Sequence, residues 1–591
     1  MLCYNQIKIK KWGKLKMNQY AVYHTTDIPY AYGKNKDTLA LRLRAARGDL
    51  KACNVYFRDR YDDNGKFQKQ SMSLYTSTEL FDFWSVDISC FRNRYKYFFE
   101  MIDTEGKVAF LDERGQEEVT CFDYLTPFQY AYICEGDLYE EEEWLQEAVV
   151  YQIFVDRFDN GDASINPEGI LPWGSKVGLR TMFGGDLRGI INHLDYLEDL
   201  GVNLLYLTPI FESNSNHKYN TKDYYKIDPQ FGDMETAKEL VRKCHERGIK
   251  IVFDAVFNHS GDDFFAFKDV KEKGEASIYK DWYHIDELPI NEEKVNYYTF
   301  GISHKRMPKF KIHNPEVKDY LLKVAKYWVE EVDIDGWRLD VCDEVDHEFW
   351  RAFRKVVKSV KKDAIVIGEI MHEAATFLKG DQLDSIMNYP FKWAVTDFFA
   401  RRSIGVERFD HILAENRAIY MESITRQLWN LCDSHDTKRF LTEANDDKAR
   451  MLLMLAFQFT YIGVPYIYYG DEIGLNGGDD PECRKCMEWS EEKQDKVLLN
   501  YYKQMIKLRK AHPALQTGDY QTVICIDNCL GFTRIKETET IFVLLNNNDV
   551  TKKIDLPKSI EGVELLTGNQ VKLTKSITLE PMSAQIIKIT M

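Results

Sequence analysis

Hydrophobic and polar residues alternate one by one near both ends of the chain. A period of two is typical of strands that bury one face. It predicts an N-terminal antiparallel β-sandwich over residues 17–130 and a C-terminal β domain over residues 511–591. The alternating positions include Leu39, Leu41, Leu43, Val55 and Phe57 in the first region and Val523, Cys525, Ile541, Val543 and Leu545 in the second.

Between these regions, short β-branched or aromatic runs alternate with amphipathic helical stretches. Eight such strand-helix repeats predict a (β/α)8 barrel over residues 147–510, reached by a linker over residues 131–146. The interval from Asp254 to Gly336 is too long for one helix, so we expect an inserted subdomain at about residues 258–312. The predicted strands are Val149–Phe154, Leu204–Leu207, Ile249–Asp254, Gly336–Asp340, Ile365–Gly368, Ser385–Met387, Leu428–Leu431 and Tyr466–Tyr469.

Charge and hydropathy narrow the choice of partners. The 591 residues contain 78 Lys and Arg against 94 Asp and Glu, a formal net charge of −16. Such a surface repels nucleic acid and anionic membranes, so neither is expected as a partner. No apolar run reaches the ~18 residues needed to span a bilayer. Residues 1–16 form a basic tail without the apolar core of a secretion signal, so Met17 is an alternative start and a cytoplasmic protein is expected.

The twelve cysteines are dilute, and most lie within apolar or helical patterns, which favours buried reduced thiols. The spacing Cys483-x-x-Cys486 invites a zinc or redox interpretation. No second pair of Cys or His follows at metal spacing, so this interpretation is not favoured.

Acidic residues stand at the ends of several predicted strands. The third strand leads into Asp254-Ala-Val-Phe-Asn-His259, the fourth ends in Arg338-Leu-Asp340, the fifth in Glu369, and the seventh leads into His435-Asp436. Because barrel chemistry lies at the carboxyl ends of the strands, these side chains should share one mouth. One ionised and one protonated carboxyl are what glycoside hydrolysis requires. A single Asp at the end of a strand is more often a helix cap, so only the whole set of strand-end residues indicates this chemistry.

The four motifs DAVFNH, GWRLD, GEI and SHD, in this order, resemble those of glycoside hydrolase family 13, the α-amylase family. The resemblance implies that Asp340 is the nucleophile, Glu369 the general acid and base, and Asp436 a third carboxylate that holds sugar hydroxyls. It also implies that Arg338 keeps Asp340 ionised and that His259 and His435 bind the central sugar. Tyr219 and His217 are expected to line the same site.

Further motifs resemble the neopullulanase, cyclomaltodextrinase and maltogenic amylase subgroup. They include YQIFVDRFDNGD from Tyr151, FGGD from Phe183, HKYNTKDY from His217 and EVDHEFW from Glu344. The resemblance implies a carbohydrate-binding N-terminal module, α-glucan and maltodextrin substrates, and a homodimer formed through that module. A sandwich that only covers its own barrel is the alternative.

The resemblance also implies a structural calcium site. Calcium prefers hard oxygen ligands, and a set of polar residues and glycine matches the family's site. Clustered Asx residues are otherwise turn formers, which remains the competing interpretation. The implied calcium residues are Asn160, Asp162, Asn166, Gly184 and Asp186.

The sequence departs from the subgroup beside the triad. Met371 replaces a usual Trp and Asp343 a usual Asn, which affects the choice between α-1,4 and α-1,6 bonds and between hydrolysis and transfer. We therefore expect a retaining α-glucan hydrolase that acts on cyclomaltodextrins, pullulan or maltooligosaccharides. The alternatives are an oligo-1,6-glucosidase and a noncatalytic carbohydrate-binding protein.

Overall fold

The computed structural model describes residues 16–590 except 64, 118–121 and 303, so the basic tail lies almost wholly outside the described residues. The described chain forms two compact units. The first comprises the described residues up to Glu140 together with Ala414–Met421, and the second comprises Glu141–Leu413 together with residues 422–590.

The first unit contains two antiparallel sheets with strand orders β1-β2-β6-β5 and β4-β3-β7-β8-β9, and β10 pairs with β7. Alternate residues such as Leu41 and Leu43 from one sheet and Val55 and Phe99 from the other share one buried core. The strands are β1 (Ala31–Asn35), β2 (Thr38–Ala46), β3 (Leu50–Asp59), β4 (Gln68–Ser71), β5 (Ser73–Ser77), β6 (Phe81–Ile88), β7 (Tyr95–Asp103), β8 (Val108–Asp112), β9 (Gly115–Glu117) and β10 (Phe128–Tyr130).

The second unit is built on a closed barrel of eight parallel strands in the order β11-β12-β15-β16-β17-β18-β19-β20, and β13 and β14 form a separate hairpin. The barrel strands are buried on both faces, which explains their nearly continuous apolar runs. Their bounds are β11 (Val150–Ile153), β12 (Leu204–Leu207), β13 (Phe211–Ser213), β14 (Thr221–Ile227), β15 (Lys250–Ala255), β16 (Gly336–Leu339), β17 (Ile365–Ile370), β18 (Ser385–Asn388), β19 (Trp429–Asn430) and β20 (Val464–Tyr468).

Helices surround the barrel, and several begin at an Asp or Asn whose side chain caps the first turn, as Asp346 and Asp495 do. The helical stretch from Leu187 to Leu200 is divided at His193, whose ring stacks on Trp489. The helices are α1 (Glu143–Gln146), α2 (Leu187–Asn192), α3 (Leu194–Leu200), α4 (Met234–Glu246), α5 (Phe265–Lys273), α6 (Pro315–Val332), α7 (His347–Val360), α8 (Tyr389–Val395), α9 (Val406–Ala418), α10 (Glu422–Thr425), α11 (Phe440–Glu443), α12 (Lys448–Thr460), α13 (Lys496–Ala511) and α14 (Pro513–Thr517).

After α14 the chain forms two further sheets, β21-β22-β23-β28-β25-β26 and β24-β27. Arg534, fully buried on β22, donates hydrogen bonds to the carbonyl oxygens of Thr460, Leu515 and Gly518 and so joins this region to α12. The strands are β21 (Asp519–Ile526), β22 (Cys529–Lys536), β23 (Glu539–Asn546), β24 (Lys552–Asp555), β25 (Ile560–Glu564), β26 (Gln570–Leu573), β27 (Ser576–Leu579) and β28 (Ser583–Ile589).

The predicted fold class is therefore confirmed: a (β/α)8 barrel carries β-sheet domains before and after it. A long segment follows β15, and it contains α5 and several isolated bridges between extended residues before α6 begins. Across the described residues, no helix combines the length and apolarity needed to cross a bilayer.

Candidate active site

A buried arginine lies at the centre of the predicted carboxyl cluster. Arg338 on β16 donates from Nη1 to Asp254 Oδ2 at 2.9 Å and to Asp340 Oδ1 at 3.0 Å. Its Nη2 lies 2.6 Å from Glu369 Oε1, as an ion pair without the alignment of a hydrogen bond. Because Asp340 and Glu369 contact the two ends of one guanidinium, their carboxyl groups must be close together.

Glu369 is the next-to-last residue of β17 and is 7% exposed. Burial raises its pKa to about 7, with Arg338 acting in the opposite direction and the charge of Asp436 adding to the rise. Its second oxygen, Oε2, accepts a hydrogen bond from the backbone N–H of Val341 at 3.2 Å. Near neutral pH this carboxyl can therefore hold a proton and release it.

Val341 itself has a left-handed backbone, with φ 46° and ψ 44°. A β-branched residue rarely adopts this conformation, which costs about 1–3 kcal/mol. The strained turn directly follows Asp340 and aims the Val341 N–H at Glu369. The strained backbone therefore links Asp340 to Glu369, because Val341 directly follows Asp340 and its N–H donates to the Glu369 carboxylate.

Burial raises the pKa of Asp340 as well, and Arg338 acts against that rise. The hydrogen-bonding pattern distinguishes the two groups. Asp340 accepts an aligned charge-assisted hydrogen bond from Arg338, whereas Glu369 does not. Since hydrogen bonds to a charged form favour that form, the bond from Arg338 favours the ionised form of Asp340 and leaves Glu369 the less strongly held carboxyl.

Asp436 follows the seventh barrel strand and faces the mouth with a third of its side chain exposed. Burial acts to raise its pKa, but His435 and Arg484 outweigh this and lower it. Burial lowers the pKa of His435 itself to about 3, so near neutral pH Arg484, 2.9 Å from Asp436 Oδ1, supplies the lasting positive charge. Asp436 therefore stays ionised.

The four predicted sugar ligands come together around Tyr219. Its hydroxyl lies 2.7 Å from His435 Nε2, and the two rings stack at 5.5 Å. Its backbone N–H donates to His217 Nδ1 at 3.1 Å, and its carbonyl oxygen lies 3.0 Å from His259 Nε2. Burial lowers the pKa of His217, His259 and His435 to about 3, so all three are neutral donors and acceptors.

Asp254, Tyr206 and Arg484 were not among the predicted catalytic and sugar-binding residues, although Asp254 was noted at the end of the third strand. Asp254 accepts hydrogen bonds from the hydroxyls of Tyr206 and Tyr219 as well as from Arg338. Arg484 binds Asp436 from a segment almost fifty residues away along the chain. In the sequence, the only signal near Arg484 is its position inside the Cys483-x-x-Cys486 spacing.

Among the described residues, no group of three or more His, Cys, Asp or Glu is arranged to hold a metal ion. Cys483 and Cys486 are free and buried. The Cys483 thiol and the Arg484 Nε both donate to the carbonyl oxygen of His435, at 3.2 Å and 2.7 Å. These hydrogen bonds therefore hold Arg484 against the loop that carries His435 and Asp436.

The residues implied for calcium also lie side by side. Asn160 Nδ2 donates to Asn166 Oδ1 at 3.0 Å, and the buried Asn160 Oδ1 has no hydrogen-bond partner among the described residues. Gly184 has φ 78°, and a Cβ there would clash with Asn166 Oδ1. Asp162 and Asp186 meanwhile cap short helical segments, Asp186 through the N–H of Gly189 at 2.7 Å. One unpaired oxygen, Asn160 Oδ1, is therefore available to a cation, while the carboxylates of Asp162 and Asp186 already serve as caps.

The departures from the subgroup lie at the rim. Met371 is exposed, and Asp343 accepts a hydrogen bond from His372 Nε2 at 3.0 Å. Neither contacts Arg338. They change the apolar and charged surface beside Glu369 without altering the carboxyl cluster.

A barrel with this carboxyl cluster is the architecture of a glycoside hydrolase, and comparisons with known proteins agree. Residues 152–518 match the model of the alpha amylase catalytic domain, residues 17–134 the alpha amylase N-terminal ig-like domain, and residues 526–588 the cyclo-malto-dextrinase C-terminal domain.

Full-length relatives show the same match. A cyclomaltodextrinase from Thermoanaerobacter pseudethanolicus is 48% identical over 97% of this chain and all of that protein. Neopullulanase 2 from Thermoactinomyces vulgaris is 43% identical over 96% of this chain and 99% of that protein. A solved cyclomaltodextrinase structure superposes with a TM-score of 0.92 at 42% identity, covering 97% of this chain and all of that one. The chain belongs to the α-amylase family, as a glycoside hydrolase of the cyclomaltodextrinase and neopullulanase type.

We expect kcat/KM for hydrolysis to fall as pH rises through about 7, because Glu369, with a pKa of about 7, loses the proton that the leaving group needs. The measurement is kcat/KM against pH, with circular dichroism over the same range to exclude unfolding. A constant kcat/KM from about pH 6 to about 9 would contradict the role of Glu369 as acid.

Proposed function

We propose that this enzyme hydrolyses α-1,4 bonds, and to a lesser extent α-1,6 bonds, of cyclomaltodextrins, pullulan and maltooligosaccharides with retention of configuration. The observation that carries the proposal is the shared contact of Asp340 and Glu369 with Arg338. Retaining glycosidases hold their two carboxyl groups only about 5–5.5 Å apart, whereas inverting enzymes leave room for a water. The names of the two curated relatives support the substrate class.

In this proposal Asp340 attacks the anomeric carbon and forms a glycosyl-enzyme ester while Glu369 protonates the departing glucosidic oxygen. Glu369, now ionised, then takes a proton from water or from an acceptor sugar hydroxyl, which attacks the same carbon and releases Asp340. Asp436, held ionised by Arg484, accepts hydrogen bonds from sugar hydroxyls. Neutral His435 and His259 add donors and acceptors beside it.

The first test compares products from cyclomaltodextrin, pullulan and soluble starch. We expect faster cleavage of the ring than of starch, with Asp340→Asn lowering kcat by more than about 10³-fold while the protein stays folded. Asp479→Asn, an exposed carboxyl on a barrel loop, is the matched control. Panose from pullulan would indicate α-1,4 cleavage. Cleavage of isomaltose alone would favour an oligo-1,6-glucosidase, and no cleavage by folded protein would favour a binding protein.

Azide rescue separates the two carboxyl roles within the same test. With α-maltosyl fluoride, azide should attack the face vacated in Asp340→Gly and give the β-azide as fluoride leaves. In Glu369→Gly the glycosyl ester still forms, so azide should give the α-azide. The same anomer from both variants would contradict the assignment.

We also propose a homodimer that forms through the N-terminal unit, inside the cell. Large side chains of this unit are exposed, including Tyr20, Tyr61, Phe91 and Tyr132, which supports a self-association surface. Seven buried cysteines of the described chain are free thiols, which is compatible with a reducing compartment: Cys53, Cys244, Cys342, Cys432, Cys483, Cys486 and Cys529. Cell fractionation would test this location.

Light scattering at micromolar concentration should give twice the 69.4 kDa chain mass, falling on dilution. A mass of one chain at every concentration would remove the dimer proposal.

Finally, we propose that Asn160, Asp162, Asn166, Gly184 and Asp186 hold a structural calcium ion. The partnerless Asn160 Oδ1 beside Asn166 supports this. Binding to the folded state alone raises stability, so calcium should raise the melting temperature by a few degrees relative to chelator. Asn160→Ala should lose that response, and the nearby exposed Asn192→Ala should keep it. Equal melting temperatures with calcium and with chelator in the unmutated protein would contradict the site.

A further inference from the structure

The segment inserted after β15 carries a second cavity, separate from the carboxyl cluster. Its volume is about 430 Å³, within the ~300–1,000 Å³ of small-molecule sites. None of the predicted catalytic or sugar-binding residues lines it. Its wall includes Tyr298, His284, Lys311, Lys280, Asp281 and Asp286.

One side of this cavity is an aromatic platform formed by Tyr298 and His284. Their rings stack with centroids 5.6 Å apart and planes 17° apart, and Tyr298 is 55% exposed. A flat ring exposed to this extent offers an apolar face to a ligand and a hydroxyl at its edge. The apolar C–H face of a pyranose ring is complementary to such a surface.

Polar groups around the platform complete the requirements for a sugar. The Tyr298 hydroxyl and the Lys311 ammonium have no hydrogen-bond partner within the described chain, so both are available to ligand hydroxyls. The carboxyls of Asp281 and Asp286 add acceptors. Glu275 and Glu287 also line the cavity, and Glu275 pairs with Lys280 at 2.8 Å. Since each sugar hydroxyl both donates and accepts, it can use the Lys311 donor and these acceptors together.

The platform is fixed to the rim of the active site by three extended segments. The His284 N–H donates to the Lys309 carbonyl at 3.3 Å, the Tyr298 N–H to His284 at 2.8 Å, and the Lys309 N–H to Tyr298 at 2.9 Å. Lys309 in turn forms an isolated bridge with His259. The platform is therefore connected through Lys309 to the segment that carries His259.

The rim contact is made by the Lys309 side chain. Its Nζ lies 2.7 Å from Glu344 Oε2, just after the turn that follows Asp340, and also contacts Asn258. Lys309 therefore contacts both the segment that carries the platform and the turn that follows Asp340.

We propose that this cavity is an outer binding site for a glucose unit of an α-glucan whose reacting bond lies at the carboxyl cluster, so that it favours long chains over short ones. The proposal rests on the α-glucan substrates proposed above. It concerns binding of the distant part of the chain and leaves the chemical step unchanged.

The test measures binding to full-length protein carrying Glu369→Gln, so that the sugar is not consumed. Calorimetry with maltoheptaose and with maltotriose is repeated after adding Tyr298→Ala, Tyr298→Phe or, as a control exposed on the same segment, Ile302→Ala. Loss of one aromatic contact should weaken maltoheptaose binding roughly three- to tenfold and leave maltotriose unchanged. Tyr298→Phe should keep most of the affinity, and Ile302→Ala all of it.

Equal weakening of both sugars, or unchanged maltoheptaose binding in Tyr298→Ala, would overturn the outer site. The proposed function is judged separately, by cleavage of short substrates by the unmutated enzyme. In the active background, Tyr298→Ala should raise KM for maltoheptaose by the same factor without changing kcat. A fall in kcat for both sugars would instead show that the substitution disturbs the catalytic residues.

Discussion

The site depends on one buried positive charge, that of Arg338. Burying a guanidinium is costly unless carboxylates surround it, and each carboxylate would be costly without the guanidinium. The barrel satisfies both requirements through its register, which places Asp254 on β15 directly beside Arg338 on β16. Asp340 follows two residues later, and Glu369 lies near the end of the adjacent strand β17. The closed sheet therefore assembles charges that no local segment could hold together.

Unequal hydrogen bonding within this cluster gives its carboxyls different tasks. Asp340 has the aligned bond to Arg338, Asp436 has Arg484, and Glu369 has an unaligned ion pair and one backbone N–H. Burial alone would raise the pKa of all three carboxyls, so the partners decide which one keeps a proton. The left-handed Val341 contributes directly, because its strained backbone supplies that N–H to Glu369.

The strand pattern predicted most of the fold and indicated the carboxyls at the strand ends, because barrel strands are buried on both faces and barrel chemistry lies at their carboxyl ends. The roles of Asp340, Glu369 and Asp436 came from the family resemblance. Other parts had no such signal. Arg484 reaches Asp436 from a short 3-10 helix, Glu482–Arg484, and nothing in the spacing of Cys483 and Cys486 reveals that contact. The strain at Val341 arises from tertiary packing that local propensity cannot report. Asp186 shows a further limit, since one carboxylate can cap a helix and belong to an oxygen cluster, and sequence alone does not distinguish these uses.

Burial also sets the charge of the three histidines near the carboxyl cluster. A sugar is neutral, so a binding surface gains from groups that both donate and accept without carrying charge. Burial lowers the pKa of His217, His259 and His435 to about 3, which leaves them neutral while the carboxyls and arginines beside them keep the charges that the chemistry needs. Tyr219 links the two sets, because its hydroxyl contacts both His435 and Asp254. The Asp254 carboxylate therefore contacts both the Tyr219 hydroxyl and the Arg338 guanidinium, which joins the polar groups around Tyr219 to the charged cluster.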